Sequence, residues 1–297
     1  MSEIDSTAHL AWQAQGERGT RFWLRVITWI ALHIGRPVTW LLQYPITLYF
    51  FLTSPATRRS SREFLSLALG RPATVLDSYR HHRCFACTIL DRVYLLSGNH
   101  SYLNVRVRGA EPIRERIADG SSCMILGSHL GSFEVLRTLG ARDEAFSIRV
   151  LMRQEQNPVI TEFLDSLNPC MADVVIPIGR PDSMLLARDA VAAGHLIGLL
   201  GDRAVSNEKT QQCSFLGRPA AFPTGPAKLA MLLNIPIYLG FGIYEGRNRY
   251  SIHFELLSDS IETPPSELVQ RFAQRLEHYA RQFPYNWFNF YDFWQGS

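Results

Sequence analysis

The sequence predicts an α/β fold: a mostly parallel sheet covered by helices, with an N-terminal membrane-associated helical segment. Three observations carry this reading. From residue 104 onward, short apolar runs of strand length alternate with stretches of helical spacing, the order expected of a covered parallel sheet. The composition is 46% hydrophobic, 11% aromatic and only 19% charged over 297 residues, which is more apolar than a typical soluble enzyme. The apolar residues near the start are also concentrated, in positions 22–53, with arginines on both sides.

That early segment comes first in the chain. The first twenty residues are polar and mixed in charge, so no cleavable signal peptide is expected. Phe22-Trp23-Leu24 through Ile34 form one apolar run, Arg36-Pro37 interrupts it, and a second extends from Val38 through Leu52. From Pro37 to Thr57 there is no formal charge, about the 20 residues that a bilayer crossing needs. Pro45 and Gln43 disfavour a clean span. Arg18, Arg21 and Arg25 precede the charge-free stretch and Arg58, Arg59 and Arg62 follow it, whereas a spanning helix has basic residues mainly on one side. The pattern suits a kinked helix lying in the membrane interface or re-entering one leaflet; a buried hairpin is the alternative. Residues 1–58 are read as the membrane-associating segment and 59–297 as the α/β domain.

Within that domain, residues 59–99 carry helical spacing with few breakers. Asn104–Arg108 alternates as a strand. Strands follow at 123–127, 147–152, 174–178, 196–200 and 237–243, with helices between them at 134–139, 158–166, 184–193 and 226–233. A later strand covers 250–256. Pro264-Pro265 then leads into a strongly periodic helix at 266–283, a usual helix entrance.

Several functions are disfavoured by composition. A net charge of +3 does not mark a nucleic-acid binder. The five cysteines form no regular framework; Cys84-Phe-Ala-Cys87 has half-zinc or redox spacing but no second pair, so ordinary buried thiols are expected. No cluster has metal-ligand spacing and no glycine-rich phosphate loop occurs. Chemistry without a metal or resident cofactor is therefore expected.

The candidate chemistry lies in Met124-Ile-Leu-Gly-Ser-His-Leu-Gly-Ser-Phe-Glu134. An apolar strand ends at Gly127, His129 sits in the turn, and Glu134 opens the next helix. The His-x4-Glu spacing alone is weak, since nine histidines and 27 acidic residues meet at it by chance about once. Its context gives it content. A first-turn glutamate, favoured as the anion by the helix dipole, is expected to reach back to the ring, orient one nitrogen and leave the other to take a proton. That arrangement suits a general base that deprotonates an alcohol attacking a thioester.

Other blocks follow in order: Val150-Leu-Met-Arg153-Gln-Glu-Gln-Asn157-Pro158; Gly201-Asp202-Arg203; Ser214-Phe-Leu-Gly217-Arg-Pro219, running on to Thr224-Gly225; and Asn234-Ile-Pro-Ile237. With His129 and Glu134, this series resembles the lauroyl/myristoyl acyltransferases of lipid A biosynthesis, within the wider glycerolipid acyltransferase group. The likeness spans about residues 105–245, with an apolar N-terminus in the usual place. It implies a membrane-associated O-acyltransferase at the cytoplasmic face of a bacterial inner membrane. It also implies acyl carrier protein as donor, a membrane lipid as acceptor and no nucleic-acid partner. His129, Glu134 and Arg153 are the expected catalytic residues, Arg153 facing the developing negative charge. Asp202, Arg203, Thr224 and Gly225 are the expected substrate-binding residues. For Asp202, orienting Arg153 or the acceptor competes with capping a loop; for Thr224, a helix N-cap is the alternative.

One departure from the family bears on the acceptor. Where the relatives end in a basic run, this chain ends Pro284-Tyr-Asn-Trp-Phe-Asn-Phe-Tyr-Asp-Phe-Trp294-Gln-Gly-Ser, with no Lys or Arg after Arg281. Dense aromatics line acyl chains or close cores better than they bind phosphate. The tail therefore suggests an acceptor other than the phosphorylated disaccharide of lipid A, such as a pigment, polyene or amino-acid lipid. A non-catalytic lipid-binding relative is the remaining alternative.

Overall fold

A computed structural model describes residues 36–98, 103–136, 146–152, 174–204, 208–259 and 262–294. Three helices come first: Arg36–Thr53 (α1), Pro55–Leu69 (α2) and Val75–Leu96 (α3). Each boundary has a local cause. Pro55 occupies the first turn of α2, and Gly70 ends that helix in the left-handed region at φ 65°, which a residue without Cβ adopts readily. Thr74 and Asp77 form a reciprocal capping box at the start of α3, satisfying two backbone donors. Helix α2 runs across position 58, where the sequence divided the chain.

The remaining order is Asn104–Arg108 (β1), Glu111–Ala118 (α4), Met124–Gly127 (β2), Ile148–Met152 (β3), Val175–Pro177 (β4), Ser183–Ala192 (α5), Leu196–Leu200 (β5), Thr210–Phe215 (β6), Arg218–Pro223 (β7), Gly225–Leu233 (α6), Ile237–Gly246 (β8), Arg249–Ser258 (β9) and Pro265–Gln282 (α7). Seven strands form one sheet in the order β1-β9-β8-β2-β5-β3-β4. Every pairing is parallel except the β8–β9 hairpin. The mostly parallel, helix-covered α/β sheet read from the sequence is thus found, and the strands lie where apolar periodicity placed them. The expected helix at 158–166 lies outside the described residues. The β6–β7 hairpin was not expected as strands; its turn is the Phe-x-Gly-x-Pro block, with Leu216 and Gly217 at positive φ.

Alternate residues of the central strands feed two apolar layers, as the two-residue period of a strand requires. On β2, Met124 and Leu126 join a layer with Phe64, Leu65, Phe272 and Trp287, while Ile125, with Cys123 just before the strand, joins one with Leu95, Ile113, Phe146 and Tyr250. Both faces of β2 are covered, and all four of its residues are buried.

Helix α1 packs the reverse of a soluble amphipathic helix. Its inward stripe, Thr39, Gln43, Thr47 and Phe51, is mostly polar, whereas Leu41, Leu48, Tyr49, Phe50 and Leu52 are exposed. Two of the inward polar groups bond to α3: Thr39 Oγ1 lies 2.9 Å from Tyr94 Oη, and Gln43 donates to the Ala86 carbonyl at 2.7 Å. Arg36 secures the start of α1 through a bidentate pair with buried Asp91, which also accepts from Tyr250. Among the described residues no helix is long and apolar enough to cross a membrane. Residues 22–35 of the early apolar segment lie outside the described residues.

Candidate active site

The parallel strands β2 and β5 are neighbours in register, Gly127 opposite Leu200. Two residues beyond each lie His129 and Asp202, so the sheet itself brings them side by side. His129 Nδ1 is 2.9 Å from Asp202 Oδ1, and the His129 backbone N–H donates to Asp202 Oδ2 at 3.1 Å. Asp202 is wholly buried, while the His129 side chain is 34% exposed.

A buried carboxylate needs compensating donors to stay charged. Burial pushes the Asp202 carboxyl up, but the His129 ring, its hydrogen bonds and the nearby Arg203 charge outweigh burial and bring it down to about 2. Asp202 is therefore ionised near neutrality and can only accept. Nδ1 must carry the proton shared with it, which leaves the Nε2 lone pair on the neutral ring. Among the described residues Nε2 has no hydrogen-bond partner.

Glu134 is placed differently from the expectation. It stands in the helical turn that opens at Phe133, but its contacts are Arg92 Nε at 2.8 Å and the Ser132 hydroxyl at 3.5 Å. Among the described residues no hydrogen bond or ion pair joins it to the ring; the carboxylate at the ring is that of Asp202. The reason is geometric: Nδ1 faces the neighbouring strand rather than the helix that follows. Arg92, on α3, joins the site through Glu134 and was missed in the sequence because α3 carries no motif.

The loop between His129 and that helix crosses β8 at van der Waals limits. Gly131 N–H donates to the Asn286 carbonyl and Ser132 N–H to the Gly242 carbonyl, both at 2.8 Å. Gly131 has φ 77°, and a Cβ there would lie 2.0 Å from the Gly242 oxygen. Only glycine allows both that conformation and that approach.

Arg203 lies beside Asp202, donates to the Phe288 carbonyl at 2.6 Å and places its guanidinium 5.2 Å from the Tyr291 ring centre. Thr224 and Gly225 sit apart from this cluster. The Thr224 hydroxyl donates to the Lys209 carbonyl at the base of the β6–β7 hairpin and makes no side-chain cap; a Cβ on Gly225 would meet Glu208. Arg153 lies outside the described residues. The described cysteines, Cys84, Cys87, Cys123 and Cys213, are free and buried, as the sequence suggested, and burial raises the thiol pKa of each. Among the described residues no group of His, Cys, Asp and Glu could hold a metal ion.

A family model described as bacterial lipid A biosynthesis acyltransferase matches residues 20–295. The chain belongs to that family. The match takes in both the early apolar segment and the aromatic tail, and it makes this acyltransferase an enzyme of the lipid A type. No curated protein matches the chain.

The tail itself is structural in large part. Trp287, Phe288 and Phe293 are buried. Phe293 lies 5.0 Å from the Trp287 ring, and Phe288 packs 5.3 Å from Phe85. Core packing accounts for these aromatics, and they give no separate ground for a non-phosphorylated acceptor.

Proposed function

We propose that this acyltransferase moves a fatty acyl chain from acyl carrier protein to a hydroxyl of a lipid A-like amphiphile, with His129 as general base. The reading rests on one observation: an ionised, buried Asp202 holds Nδ1 of His129 and leaves Nε2 open. In the step proposed, Nε2 takes the acceptor's hydroxyl proton while the hydroxyl oxygen bonds to the thioester carbonyl carbon. The tetrahedral intermediate collapses, its C–S bond breaks, and the imidazolium returns the proton to the departing thiolate. The ester and free thiol are the products, and the ring ends as it began. Asp202 stabilises the transient imidazolium. Arg153 is assigned to the developing oxyanion, and Arg203 to an anionic group of a substrate. The Arg92–Glu134 pair is assigned to holding the acceptor beside Nε2.

The reaction is placed at the cytoplasmic face of the bacterial inner membrane. The inverted polarity of α1 supports the membrane contact alone, because its exposed Leu41, Leu48, Phe50 and Leu52 each favour an apolar surrounding by about 1.5–3 kcal/mol when fully buried. A helix lying in the interface satisfies that preference without a span.

The test is transfer of labelled acyl chain from acyl carrier protein to extracted membrane lipid, with mass analysis of the product. His129→Ala is expected to lose about 10²–10⁴-fold in rate. Wild-type turnover by folded His129→Ala would end the mechanism, and a product outside the lipid A class would end the acceptor assignment.

A further inference from the structure

We propose that Trp287 is a positioning residue for the reaction, its indole N–H fixing Asp202 so that this carboxylate aims Nδ1 of His129. The proposal rests on the reading of His129 as base. Trp287 lies in the chain's aromatic tail, 85 residues from Asp202, yet its Nε1 donates to Asp202 Oδ2 at 3.1 Å.

The carboxylate thereby receives three donors. Oδ1 takes the imidazole, and Oδ2 takes both the His129 backbone N–H and the indole. A carboxylate held only by His129 would be free to rotate together with the ring. Among the described residues the indole supplies the one side-chain hydrogen bond from outside that pair, and so fixes the plane of the carboxylate independently of the group it must orient.

The tryptophan is itself held on every side. It is fully buried, with Phe64, Phe215 and Phe293 at ring-centre distances of 4.8, 5.1 and 5.0 Å. Its backbone bridges Leu130, and the next residue, Phe288, donates its N–H to the His129 carbonyl at 2.9 Å. Its own carbonyl lies 2.8 Å from Nε2 of buried His81, whose Nδ1 lies 3.0 Å from the Ser61 hydroxyl. A carbonyl only accepts, so Nε2 of His81 is the protonated nitrogen and the Ser61 hydroxyl donates to Nδ1. The tail thus grips the His129 turn from its backbone and the dyad from its carboxylate.

An ordinary core tryptophan whose N–H merely found a partner would share the burial, so the test must read the dyad. In Trp287→Phe, loss of the donor leaves more of the Asp202 charge directed at the ring, which favours the protonated imidazole. The expected result is a kcat about tenfold lower, KM for donor and acceptor within about twofold, and the acid limb of the kcat/KM profile about half a pH unit or more higher. A folded Trp287→Phe with an unmoved acid limb overturns the proposal, whether kcat falls or not. If Trp287→Phe does not fold, β-(3-benzothienyl)alanine incorporated at position 287 keeps the bicyclic shape and removes only the N–H; the same two results support or overturn the role. His129→Ala measured alongside separates the two readings. Full activity there removes the base itself, whereas an inactive His129→Ala beside an unmoved Trp287→Phe profile removes only the role of Trp287.

Discussion

His129 and Asp202 are 73 positions apart, and only the pairing of β2 with β5 makes them neighbours. Spacing along the chain pointed to Glu134 instead, because a partner five residues away is visible in a sequence and one across a sheet is not. The two residues themselves were legible, each two positions beyond an apolar strand; their contact was not, since strand order is not written in periodicity. This difference orders two substitutions. Asp202→Asn is expected to cost about 10²–10⁴-fold in kcat, because the amide no longer enforces a protonated Nδ1. Glu134→Gln is expected to cost less, since Arg92 and Ser132 rather than the ring are its contacts. Steady-state rates of the two purified variants decide it, and the reverse order would return Glu134 to the role that its spacing suggested. His81 supplies a second prediction at this scale. Burial pushes it from 6.5 down to about 3, so the folded protein carries it neutral while the unfolded chain protonates. Its contribution to stability is complete above about pH 6.5 and is lost as pH falls toward 3. Melting temperatures measured from pH 8 to pH 4 should fall less steeply on the acid side for His81→Gln than for the parent. Parallel curves would show that other groups set the acid limit.

Elements repeat the lesson with different physics. Strands with both faces covered read clearly because their apolar runs are continuous, and the long helix α7 read clearly from its strong period. The β6–β7 hairpin escaped notice because Thr210-Gln-Gln and Arg218-Pro carry little strand signal; the pair is held by its buried Phe215, Ala220 and Phe222. The turn after His129 depends on two glycines, and its tolerance is predictable. Gly131→Ala places a Cβ 2.0 Å from a backbone oxygen in a left-handed conformation. It is expected to destabilise the protein by about 2–4 kcal/mol and to lower activity in whatever fraction still folds. Urea unfolding beside the transfer assay tests both, and an unchanged midpoint would mean that the loop shifts freely. Helix α1 is the element whose pattern was read for its apolar content, while its inward polar stripe was seen only once α3 was in place. Leu41→Glu combined with Phe50→Glu should release much of the protein from vesicles while leaving the Thr39 and Gln43 contacts to α3 intact. Undiminished vesicle binding would show that α1 is not the attachment.

For the whole molecule, helix α3 backs both α1 and the site. One side holds α1 through Tyr94 and the Ala86 carbonyl; elsewhere on the same helix, Arg92 reaches Glu134 and His81 reaches the Trp287 carbonyl. Packed helices lie about 8–10 Å apart axis to axis, so α3, which reaches the site through Arg92, is the immediate neighbour of the helix whose apolar face is proposed for the bilayer. An acceptor diffusing in a leaflet would then meet the base by sliding sideways, and the amount of it per litre would not set the rate. Its crowding within the lipid sheet would. Turnover at fixed total acceptor should drop as inert phospholipid is added to thin it out, and should be indifferent to enlarging the water volume while enzyme and vesicles stay bound.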